Sequence, residues 1–570
     1  MTTGQSNNLS RTKEPSATDH EEIEWQFDAG ELESVGGWLG LHNAGSSGLI
    51  VAPESTVEIT DTYYDTDDWR FYRAGYALRV RNTDGEVEAT MKSLTPAEGS
   101  LRRRREISEP LEDDKPATLR EAGGAVGGRS RALVGGREIR PLFRLETRRQ
   151  GFGLLLEGAT DGNPGDVRVG EISLDATEIP LGEEPTRLSR IEVEAEIGKA
   201  PTPELQGFVD EMQSALELAP ASASKYETGL YASGLDPEGD SGFGPTRVDP
   251  SMSLGEVAFA VLRAQFVEMR SHEPGTRLGD DPEELHDMRV PTRRMRVAMK
   301  VFQGALPERA RWLREELRWV AGALGDVRDL DVQIERFQAW KEAADEESSG
   351  FLDRILTITE KRRAEARKNM LEVLDSSRYE RLESSFAEML RRGPAAELEV
   401  AQTDGHDQVW EPVTAAAPAL ISGRYRKWRK AAKRLDETSS PEAFHDVRKK
   451  GKRLRYTLEF LSEVYGKPVH NLVKPLKALQ DYLGDHQDAV VAAGYLRELG
   501  TTTGGARVRR GVAFTMGAYS ERCAREAKDL RSVVPDSKPF RTLIKGKKWK
   551  KLAKVMERGT GPHVPNDGVR

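Results

Sequence analysis

The chain has 570 residues, of which 85 are Lys or Arg and 94 are Asp or Glu, so its formal net charge is −9. This length exceeds what one hydrophobic core holds and predicts about two to four domains. The single cysteine, Cys523, excludes an intramolecular disulfide framework and a cysteine-based zinc site. The negative average gives no overall nucleic-acid signature, yet basic residues are concentrated in blocks such as 424–434 and 541–554, which suit a defined anionic ligand.

The first residues carry no structural signal. Residues 1–19 are rich in Thr, Ser and Asn and are predicted to be disordered. The N-terminus lacks the apolar segment of a signal peptide, and no apolar run approaches the roughly 20 residues that a bilayer span requires. We therefore expect a soluble cytoplasmic protein without a membrane partner.

From about residue 20 to residue 232, apolar and polar residues alternate with period two, and the polar positions of one predicted strand after another are charged. The charged rows are Glu22, Glu24 and Gln26; Arg79 and Arg81; Glu86, Glu88, Thr90 and Lys92; Arg102, Arg104 and Glu106; Arg144, Glu146 and Arg148; and Glu192, Glu194 and Glu196. A solvated outer face is the alternative interpretation. Rows of like charge argue against it, because three Glu side chains in a row repel unless a cation lies between them. We expect a closed barrel with a charged interior, in which carboxylates hold Mg²⁺ or Mn²⁺ opposite Arg and Lys for phosphates. Residues 203–217 predict a helix that closes this region.

This region resembles the CYTH domain of the triphosphate tunnel metalloenzymes. The motifs are E-x-E-x-K, here Glu22-x-Glu24-x-Gln26, then Tyr63-Tyr64-Asp65-Thr66, the Arg79/Arg81 pair, Lys92, Arg104-x-Glu106, the late E-x-E row and Ser224-Lys225-Tyr226. The resemblance implies an eight-stranded antiparallel tunnel that hydrolyses a terminal phosphate from triphosphates. It implies that catalysis and metal binding fall to Glu22, Glu24, Glu192 and Glu194, and that phosphates bind Arg79, Arg81, Lys92, Arg104 and Lys225. Gln26 stands where the family has Lys, so one positive charge near the substrate is missing.

After a linker at 233–250 the sequence becomes helical and contains one motif twice. Residues 286–300 read HDMRVPTRRMRVAMK, and residues 445–456 read HDVRKKGKRLRY. Each copy is followed by Leu-Gly-Asp, and the separation from His to Asp is 40 residues in both (326 − 286 and 485 − 445). Two copies in register indicate an internal duplication.

In each copy a basic stripe runs beside an apolar stripe, because positions three, four and seven apart share a helix face. The basic stripes are His286, Arg289, Arg293, Arg296 and Lys300, and His445, Arg448, Lys452 and Arg455. The apolar stripes are Leu285, Met288, Met295, Met299 and Phe302, and Phe444, Val447, Leu454, Leu458 and Leu461. A solvated face usually mixes both signs of charge, so stripes that are nearly all positive favour an anion site. Arg and Lys together suit a phosphate chain, since Arg gives bidentate contacts and Lys gives mobile point charges.

The Leu-Gly-Asp segments are interpreted as turns that end the partner helices. Asp326, Arg328 and Asp329 are expected to pair with residues of the basic stripe. His286 and His445 are interpreted as ligands of phosphate oxygen or caps of the stripe rather than as acid/base groups.

Residues 250–556 resemble the CHAD domain, the conserved histidine α-helical domain. Its H-x-x-R-V-x-x-[RK]-R-x-R pattern matches the first copy, while the second has Lys449 in place of Val and Lys452 in place of one Arg. The resemblance implies two pseudo-symmetric four-helix bundles, at about 251–400 and 410–556, whose basic faces form a groove for inorganic polyphosphate. The implied groove residues are His286, Arg289, Arg293, Arg294, Arg296, Lys300, His445, Arg448, Lys449, Lys452, Arg453 and Arg455.

The predicted protein therefore has two domains, an α+β barrel tunnel at 20–232 and an all-α domain at 251–556, followed by a disordered tail at 557–570. The leading hypothesis is a Mg²⁺- or Mn²⁺-dependent triphosphatase joined to a polyphosphate-binding domain, acting on small triphosphates or polyphosphate ends, in the cytoplasm or at polyphosphate granules. The second is a purely binding protein with an inactive tunnel. The third, less favoured, is nucleic-acid binding through the two basic blocks, in which Tyr425, Trp428 and Trp549 permit base stacking.

Overall fold

The computed structural model of the chain describes residues 18–41, 48–156, 167–181, 184–237, 242–398, 407–502 and 510–558. The chain divides into two compact units, Met1–Gly239 and Asp240–Arg570. The segments predicted to be disordered lie outside the described residues, except for residues 18–19, which begin the first strand, and residues 557–558. Within the described residues, no helix combines the length and the apolar composition that a bilayer crossing demands.

The first unit is a closed ring of antiparallel strands. Its strands are β1 (Thr18–Asp28), β2 (Leu49–Asp65), β3 (Tyr76–Thr83), β4 (Glu86–Ser93), β5 (Leu101–Leu111), β6 (Arg140–Leu156), β7 (Val167–Ile179), β8 (Thr186–Ala195) and β9 (Ala219–Pro220). Eight strands follow the order β5-β4-β3-β2-β6-β7-β8-β1, and β1 pairs with β5 to close the ring. The two-residue β9 adds to β1. The predicted eight-stranded antiparallel tunnel is confirmed.

Alternation along β1 explains which face turns inward. Ile23, Trp25 and Phe27 belong to an apolar cluster that includes Phe208 and Met212 of an outer helix. Because successive side chains of a strand point to opposite faces, Glu22, Glu24 and Gln26 turn into the ring. The helices of this unit are α1 (Leu32–Leu41), α2 (Arg70–Arg73), α3 (Pro116–Glu121), α4 (Ala125–Val134), α5 (Pro203–Ala215) and α6 (Lys225–Ala232). The helix predicted at 203–217 is α5.

One charged row faces outward instead of inward. On β6 the side chains of Arg144, Glu146 and Arg148 are 54%, 55% and 73% exposed. Mixed signs in this row allow it to remain solvated, as the Arg144–Glu146 ion pair at 3.4 Å illustrates. The expectation of a charged interior is therefore wrong for this row, and Arg149 on the opposite face of β6 lines the interior.

The second unit is all helical. Its helices are α7 (Leu254–Leu278), α8 (Pro282–Val301), α9 (Ala310–Glu342), α10 (Glu346–Leu374), α11 (Ser377–Leu398), α12 (Val413–Ala432), α13 (Pro441–Phe460), α14 (Ser462–Tyr465), α15 (Lys467–Thr502), α16 (Arg510–Val533), α17 (Lys538–Lys545) and α18 (Lys547–Glu557), with 3₁₀ turns at Gln303–Ala305 and Asp407–Val409. The helices α7–α10 and α12, α13, α15 and α16 form corresponding sets. Most of these helices share one large apolar cluster, whereas α16 packs with the ends of α9, α10 and α15 in a second cluster. The two motif helices, α8 and α13, begin in the same way, with Pro282 and Pro441 at the first helical position.

The Leu-Gly-Asp segments do not end helices. Residues 324–326 lie inside α9 and residues 483–485 lie inside α15, so the prediction of turns is wrong. A Cβ built on Gly325 would lie 3.6 Å from Nη2 of Arg289, and one on Gly484 would lie 3.8 Å from Nη2 of Arg448. In each repeat an arginine of the basic stripe thus lies across the partner helix at its glycine, at ordinary van der Waals distance from where a Cβ would be.

Candidate functional site

The interior of the ring encloses a cavity of about 510 Å³. Eight of the nine residues predicted for metal and phosphate line it: Glu22, Arg79, Arg81, Lys92, Arg104, Glu192, Glu194 and Lys225. The ninth, Glu24, lies behind this surface with 2% of its area exposed. Anionic and cationic groups thus share one enclosed chamber, as the strand pattern indicates.

One wall of the cavity concentrates carboxylates. Glu24 lies directly opposite Glu194 in the β1–β8 register. Burial raises the pKa of Glu22 to about 7, where Glu24 and Glu106 add to the rise against the opposing charge of Lys92. Burial, together with the charge of Glu22, raises the pKa of Glu194 to about 9. The neighbouring positive charge is therefore too small to offset the burial of these two carboxylates and the repulsion between them.

Lys92 is the cation that partly neutralises the negative charge of this wall. Its ammonium contacts Glu22 Oε2 and lies 3.5 Å from Glu24 Oε1 and 3.6 Å from Glu106 Oε2. Burial alone would lower the pKa of Lys92, but the charges of Glu22 and Glu24 outweigh it and raise that pKa. Lys92 thus lies among carboxylates, together with one other phosphate-binding candidate, Arg104, whose Nη2 lies 3.6 Å from the same Glu24 Oε1.

Beside this wall, from β6 to β8, lies a dense ion-pair network. Arg149 Nη2 lies 2.6 Å from Asp175 Oδ2 and 2.8 Å from Glu192 Oε2. Lys225 Nζ contacts Asp175 and lies 3.0 Å from Glu192 Oε1. Burial opposes ionisation of Glu192, but Lys225 and Arg149 outweigh it and hold the pKa of that carboxyl well below its usual range. Both oxygens of Glu192 are therefore engaged by cations in this arrangement.

Arg79 and Arg81 share a single buried acid. Arg81 Nε lies 2.8 Å from Asp61 Oδ1, and Arg79 Nε lies 3.7 Å from the same atom. Burial would raise the pKa of Asp61, but Arg81 and Arg79 outweigh it and lower that pKa. Two guanidinium groups against one carboxylate leave net positive charge facing the cavity.

Gln26 is held by two neighbours. Its Nε2 donates to Glu192 Oε1 at 3.3 Å, and its Oε1 accepts from Arg190 Nη1 at 3.4 Å. Arg190 is 1% exposed and also pairs with Asp28 at 3.1 Å. The neutral amide therefore bridges a buried cation and a half-buried anion at the position where the resemblance to the CYTH domain leads one to expect Lys.

Sequence reasoning missed Asp61, Arg149 and Asp175. On their strand faces Asp61 lies between Ile59 and Tyr63, and Asp175 lies between Ser173 and Thr177. Arg149 follows Leu145 and Thr147 on its face of β6. None of them belongs to a row of charges, so the only available signal was an isolated charge at an inward position of a strand.

The donor chemistry of the carboxylate wall suits a hard divalent cation. Glu22, Glu24 and Glu194 offer oxygen ligands, and a cation would relieve the repulsion that raises two of their pKa values. Across the ranges that the structure describes, no three acidic, His or Cys side chains are arranged around a common point for a metal ion. The ammonium of Lys92 takes the counter-ion position in this arrangement.

The second site is built from α8 and α13. The predicted basic stripes are half-buried or exposed along both helices, and the ten residues of the apolar stripes are all buried. The orientation predicted for both helices is confirmed.

The two stripes face each other. The guanidinium groups of Arg293 and Arg294 on α8 lie over the ring of Tyr456 on α13, at 5.7 Å and 5.3 Å from its centroid. Arg294 Nη1 also lies 2.8 Å from Glu459 Oε2. The duplicated helices therefore form one shared surface.

Like charges accumulate where the stripes meet. Burial, followed by the charges of Arg293, Arg448, Arg455 and Arg289 in that order, lowers the pKa of Lys452 to about 7. Burial likewise lowers the pKa of Arg448, with Arg293 contributing. Cations crowded in this way are stabilised by a polyanion.

A cavity of about 350 Å³ opens beside this cluster. Six predicted groove residues line it: Arg293, Arg296, Lys300, Lys449, Lys452 and Arg453. Three further cations that sequence reasoning did not assign to the groove, Arg314, Arg318 and Arg424, also line it. Glu315 is the one acid among its lining residues and pairs with Arg314 at 3.1 Å.

The groove is not symmetric. Glu459 occupies the position that corresponds to Lys300 in the first copy (459 − 159 = 300), and it pairs with Arg455 as well as with Arg294. On the other side, Lys300 and Arg453 have no carboxylate within ion-pair distance among the described residues. One half of the groove is thus partly neutralised and the other half remains cationic.

The two motif histidines differ in their contacts. His445 Nδ1 lies 2.7 Å from Gln487 Oε1, whereas His286 Nδ1 is buried with no hydrogen-bond partner among the described residues. Burial and the charge of Arg328 lower the pKa of His286. The expected pairing of the Asp segment with the stripe holds for Asp329, at 3.4 Å from Arg289, while Arg328 pairs with Glu283 instead.

The aromatic residues of the basic blocks are not available for base stacking. Tyr425 and Trp428 are 3% and 0% exposed, and Tyr425 stacks on Trp549 with ring centroids 3.9 Å apart. The expectation that they present stacking surfaces is wrong, because Tyr425 and Trp549 pack α12 against α18 and Trp428 packs against Gly451 of α13.

Comparisons with known proteins cover both units. A relative found in two strains of Mycobacterium tuberculosis, with no characterised function, is 32% identical over 228 residues, which are 38% of this chain and 40% of the relative. The alignment thus spans less than half the length of these relatives. The CHAD domain of the plant Ricinus communis is 25% identical over 52% of this chain and 96% of that chain, with a TM-score of 0.43. A Hippeastrum protein considered an adenylyl cyclase and having a dominant triphosphatase activity is 16% identical over 38% of this chain and 99% of that chain, with a TM-score of 0.27.

Family models match most of the described chain. Residues 41–229 match the model of the CYTH domain, and residues 260–497 match that of the CHAD domain. The chain therefore contains a CYTH domain, which has the triphosphate tunnel fold, followed by a CHAD domain.

Proposed function

We propose that this protein binds inorganic polyphosphate in the groove between α8 and α13 and that its tunnel hydrolyses triphosphates or polyphosphate ends with a divalent cation, Mg²⁺ or Mn²⁺. The proposal also places the protein in the cytoplasm, at polyphosphate granules. The observation that carries it is the meeting of two cationic stripes from duplicated helices, several of whose members have no acidic partner among the described residues.

The composition of the groove supports a linear phosphate chain as its ligand. Nine Lys and Arg side chains line the cavity with a single acid. A phosphate chain supplies one negative charge per unit and needs no base or sugar recognition, and the groove offers guanidinium and ammonium groups without exposed aromatic platforms. The lowered pKa of Lys452 adds support, because a bound polyanion would relieve the crowding of positive charge.

Membership of the CYTH family and the cavity chemistry support a phosphoryl-transfer tunnel. In the proposed reaction, Arg79, Arg81 and Lys225 hold the phosphates of the substrate, and Arg104 orients them from β5. A divalent cation, held by Glu22, Glu24 and Glu194, would neutralise charge that develops on the transferred phosphoryl group. One carboxylate of the wall accepts the proton of the attacking water, and enclosure in the cavity strengthens each of these interactions.

An inactive tunnel is the second candidate, and a specific observation favours it. Gln26 contributes no charge, and Glu192 is already engaged by Arg149 and Lys225. A tunnel that lacks one substrate-facing cation retains phosphate affinity more readily than it retains catalysis.

Phosphate release from tripolyphosphate with Mg²⁺ or Mn²⁺ separates these two candidates. We expect release by the wild type that disappears in Glu22→Gln and persists in a groove variant. Gln26→Met, which keeps the volume and removes the hydrogen bonds, is the matched control for Gln26→Lys. An inactive wild type that gains activity in Gln26→Lys but not in Gln26→Met would establish the binding-only alternative.

Polyphosphate retention tests the groove. Arg289→Ala/Arg293→Ala and Arg448→Ala/Lys452→Ala should each weaken binding of long polyphosphate by roughly tenfold or more, with a smaller dependence on salt. Unchanged binding in both double variants would overturn the assignment. Displacement of polyphosphate by short RNA at equal phosphate concentration would instead favour nucleic acid.

A further inference from the structure

A second cationic surface covers the outside of the second repeat. Its members are exposed side chains on α12, α17 and α18 and just beyond α12: Arg426, Lys427, Lys430, Lys433, Arg434, Lys545, Lys547, Lys550, Lys551 and Lys554. Within the described residues, none of these ten has a carboxylate within ion-pair distance. We call this set the outer basic surface. Only its α12 portion falls within the residues that match the CHAD family model.

Packing holds α12 and α18 side by side. Tyr425 of α12 stacks on Trp549 of α18, with an interplanar angle of 10°. Arg429 Nη2 donates to the carbonyl of Ile544, the penultimate residue of α17, at 3.2 Å. The apolar faces of all three helices enter the main core, so their lysines are directed outward on adjacent helices.

The outer basic surface is continuous with the groove. Arg424 lines the groove cavity, and its Nη2 donates to the carbonyl of Lys300 at 3.5 Å. Successive residues of a helix are about 100° apart. Arg424 therefore marks the groove flank of α12, Arg429 marks the α17 flank, and the exposed cations from residue 426 to residue 434 occupy the back between them. An anionic chain leaving the groove meets positive charge without interruption.

Solvation alone does not explain this surface. Exposed helices usually mix signs at i,i+4 positions, and like charges there are destabilising. The cations of α12 and the residues just beyond it follow one another with no acid before Asp436, and those of α18 with no acid before Glu557. Since α12, α17 and α18 expose no large apolar side chain, insertion into a membrane is not favoured. With Tyr425 and Trp428 buried, stacking of single-stranded bases is not favoured either.

We propose that the outer basic surface binds the part of a long inorganic polyphosphate chain that extends beyond the groove, and that it gives the protein a preference for long chains. This inference rests on the proposed binding of polyphosphate in the groove. The inference is supported by the charge complementarity between this surface and polyphosphate and by the continuity of the surface with the groove.

The test compares three full-length variants. Arg426→Ala/Lys427→Ala/Lys430→Ala removes three cations from the outer basic surface. Arg354→Ala/Lys361→Ala/Lys368→Ala is the matched control, because it removes one Arg and two Lys that are equally exposed on α10. Arg289→Ala/Arg293→Ala reports on the groove. Dissociation constants are measured for short and for long sodium polyphosphate over a series of salt concentrations.

The expected result is selective. The outer-surface variant should bind long chains roughly tenfold more weakly, with the slope of log affinity against log salt reduced by about 2, and should bind short chains like the wild type. The α10 control should match the wild type with both ligands. Equal effects of the two triple variants, or equal losses for short and long chains, would overturn the inference.

Two outcomes keep this inference distinct from the proposed function. If the wild type binds neither ligand, or the groove variant binds both normally, the proposed groove function is wrong. The inference about the outer basic surface is then wrong as well, because it depends on that function. If the groove variant is impaired while the outer-surface variant is not, only the extension is wrong. Duplex DNA is included as a competitor: competition equal to that of polyphosphate, lost in the outer-surface variant, would assign this surface to nucleic acid instead.

Discussion

The crowding of cations around Lys452 predicts that polyphosphate binding weakens as pH rises above 7. Burial and four neighbouring arginines lower the pKa of Lys452 to about 7 from 10.5. A phosphate chain beside the ammonium would return its pKa toward the ordinary value, so binding takes up a proton. If the bound pKa lies about one unit below its ordinary value, affinity should fall roughly 40-fold between pH 7 and pH 9. Internal phosphates of the chain stay ionised over this interval and contribute no opposing change.

Stability of the free protein should change in the opposite direction. Between pH 7 and the ordinary lysine pKa, the unfolded chain holds the proton on Lys452 while the folded chain has released it. The free energy of unfolding therefore rises with pH in this window, by no more than about 1.4 kcal/mol per pH unit from this group. Below pH 7 both states are protonated, and this contribution no longer changes with pH.

Binding titrations with long polyphosphate at fixed ionic strength measure the effect. Lys452→Arg keeps the charge at every pH and should flatten the profile between pH 7 and pH 9. Lys300→Arg is the matched control, since Lys300 lines the same cavity but is exposed, and it should keep the wild-type profile. Superimposable profiles for the wild type and Lys452→Arg would refute the reasoning.

Two other changes have clear expected outcomes. Glu459→Gln removes the acid that neutralises two groove arginines, so polyphosphate affinity should rise several-fold while the melting temperature falls; weaker binding would show that this acid positions those arginines instead. Gly229→Ala places a Cβ 2.1 Å from Cε2 of Phe143 and should destabilise the tunnel domain by about 1–3 kcal/mol in thermal or urea unfolding. Gly207→Ala, in a helix where a Cβ meets nothing within 4 Å, should instead stabilise it by up to about 1 kcal/mol, and destabilisation of similar size in both variants would contradict this argument.

Much of the molecule follows from local periodicity. Period-two alternation at Glu22, Glu24 and Gln26 predicts the inward face of β1, because a strand has only two faces. The spacing of His286, Arg289 and Arg293 predicts the cationic stripe of α8 for the same kind of reason, since helix geometry fixes which positions share a face. The duplication at a constant offset predicts two matching helical sets.

The partners of these side chains depend on how separate strands pair. Asp61 and Asp175 belong to no row of charges, and the antiparallel registers of β2 with β3 and of β6 with β7 place them directly opposite Arg81 and Arg149. Alternation does not distinguish inside from outside, so the row at Arg144, Glu146 and Arg148 was assigned to the wrong face. A pattern of charge defines a surface, whereas burial depends on what packs against the other side.

The glycines of the Leu-Gly-Asp segments illustrate the same division. The sequence by itself determined that a His-led basic stripe and a glycine recur at a fixed separation. Only the tertiary structure decided that Gly325 and Gly484 lie within helices, beneath Arg289 and Arg448. It also brought the two stripes together, so that the arginines of both lower the pKa of Lys452. Helical spacing is a property of one segment, but electrostatic crowding arises only when two segments pack within a few ångströms of each other.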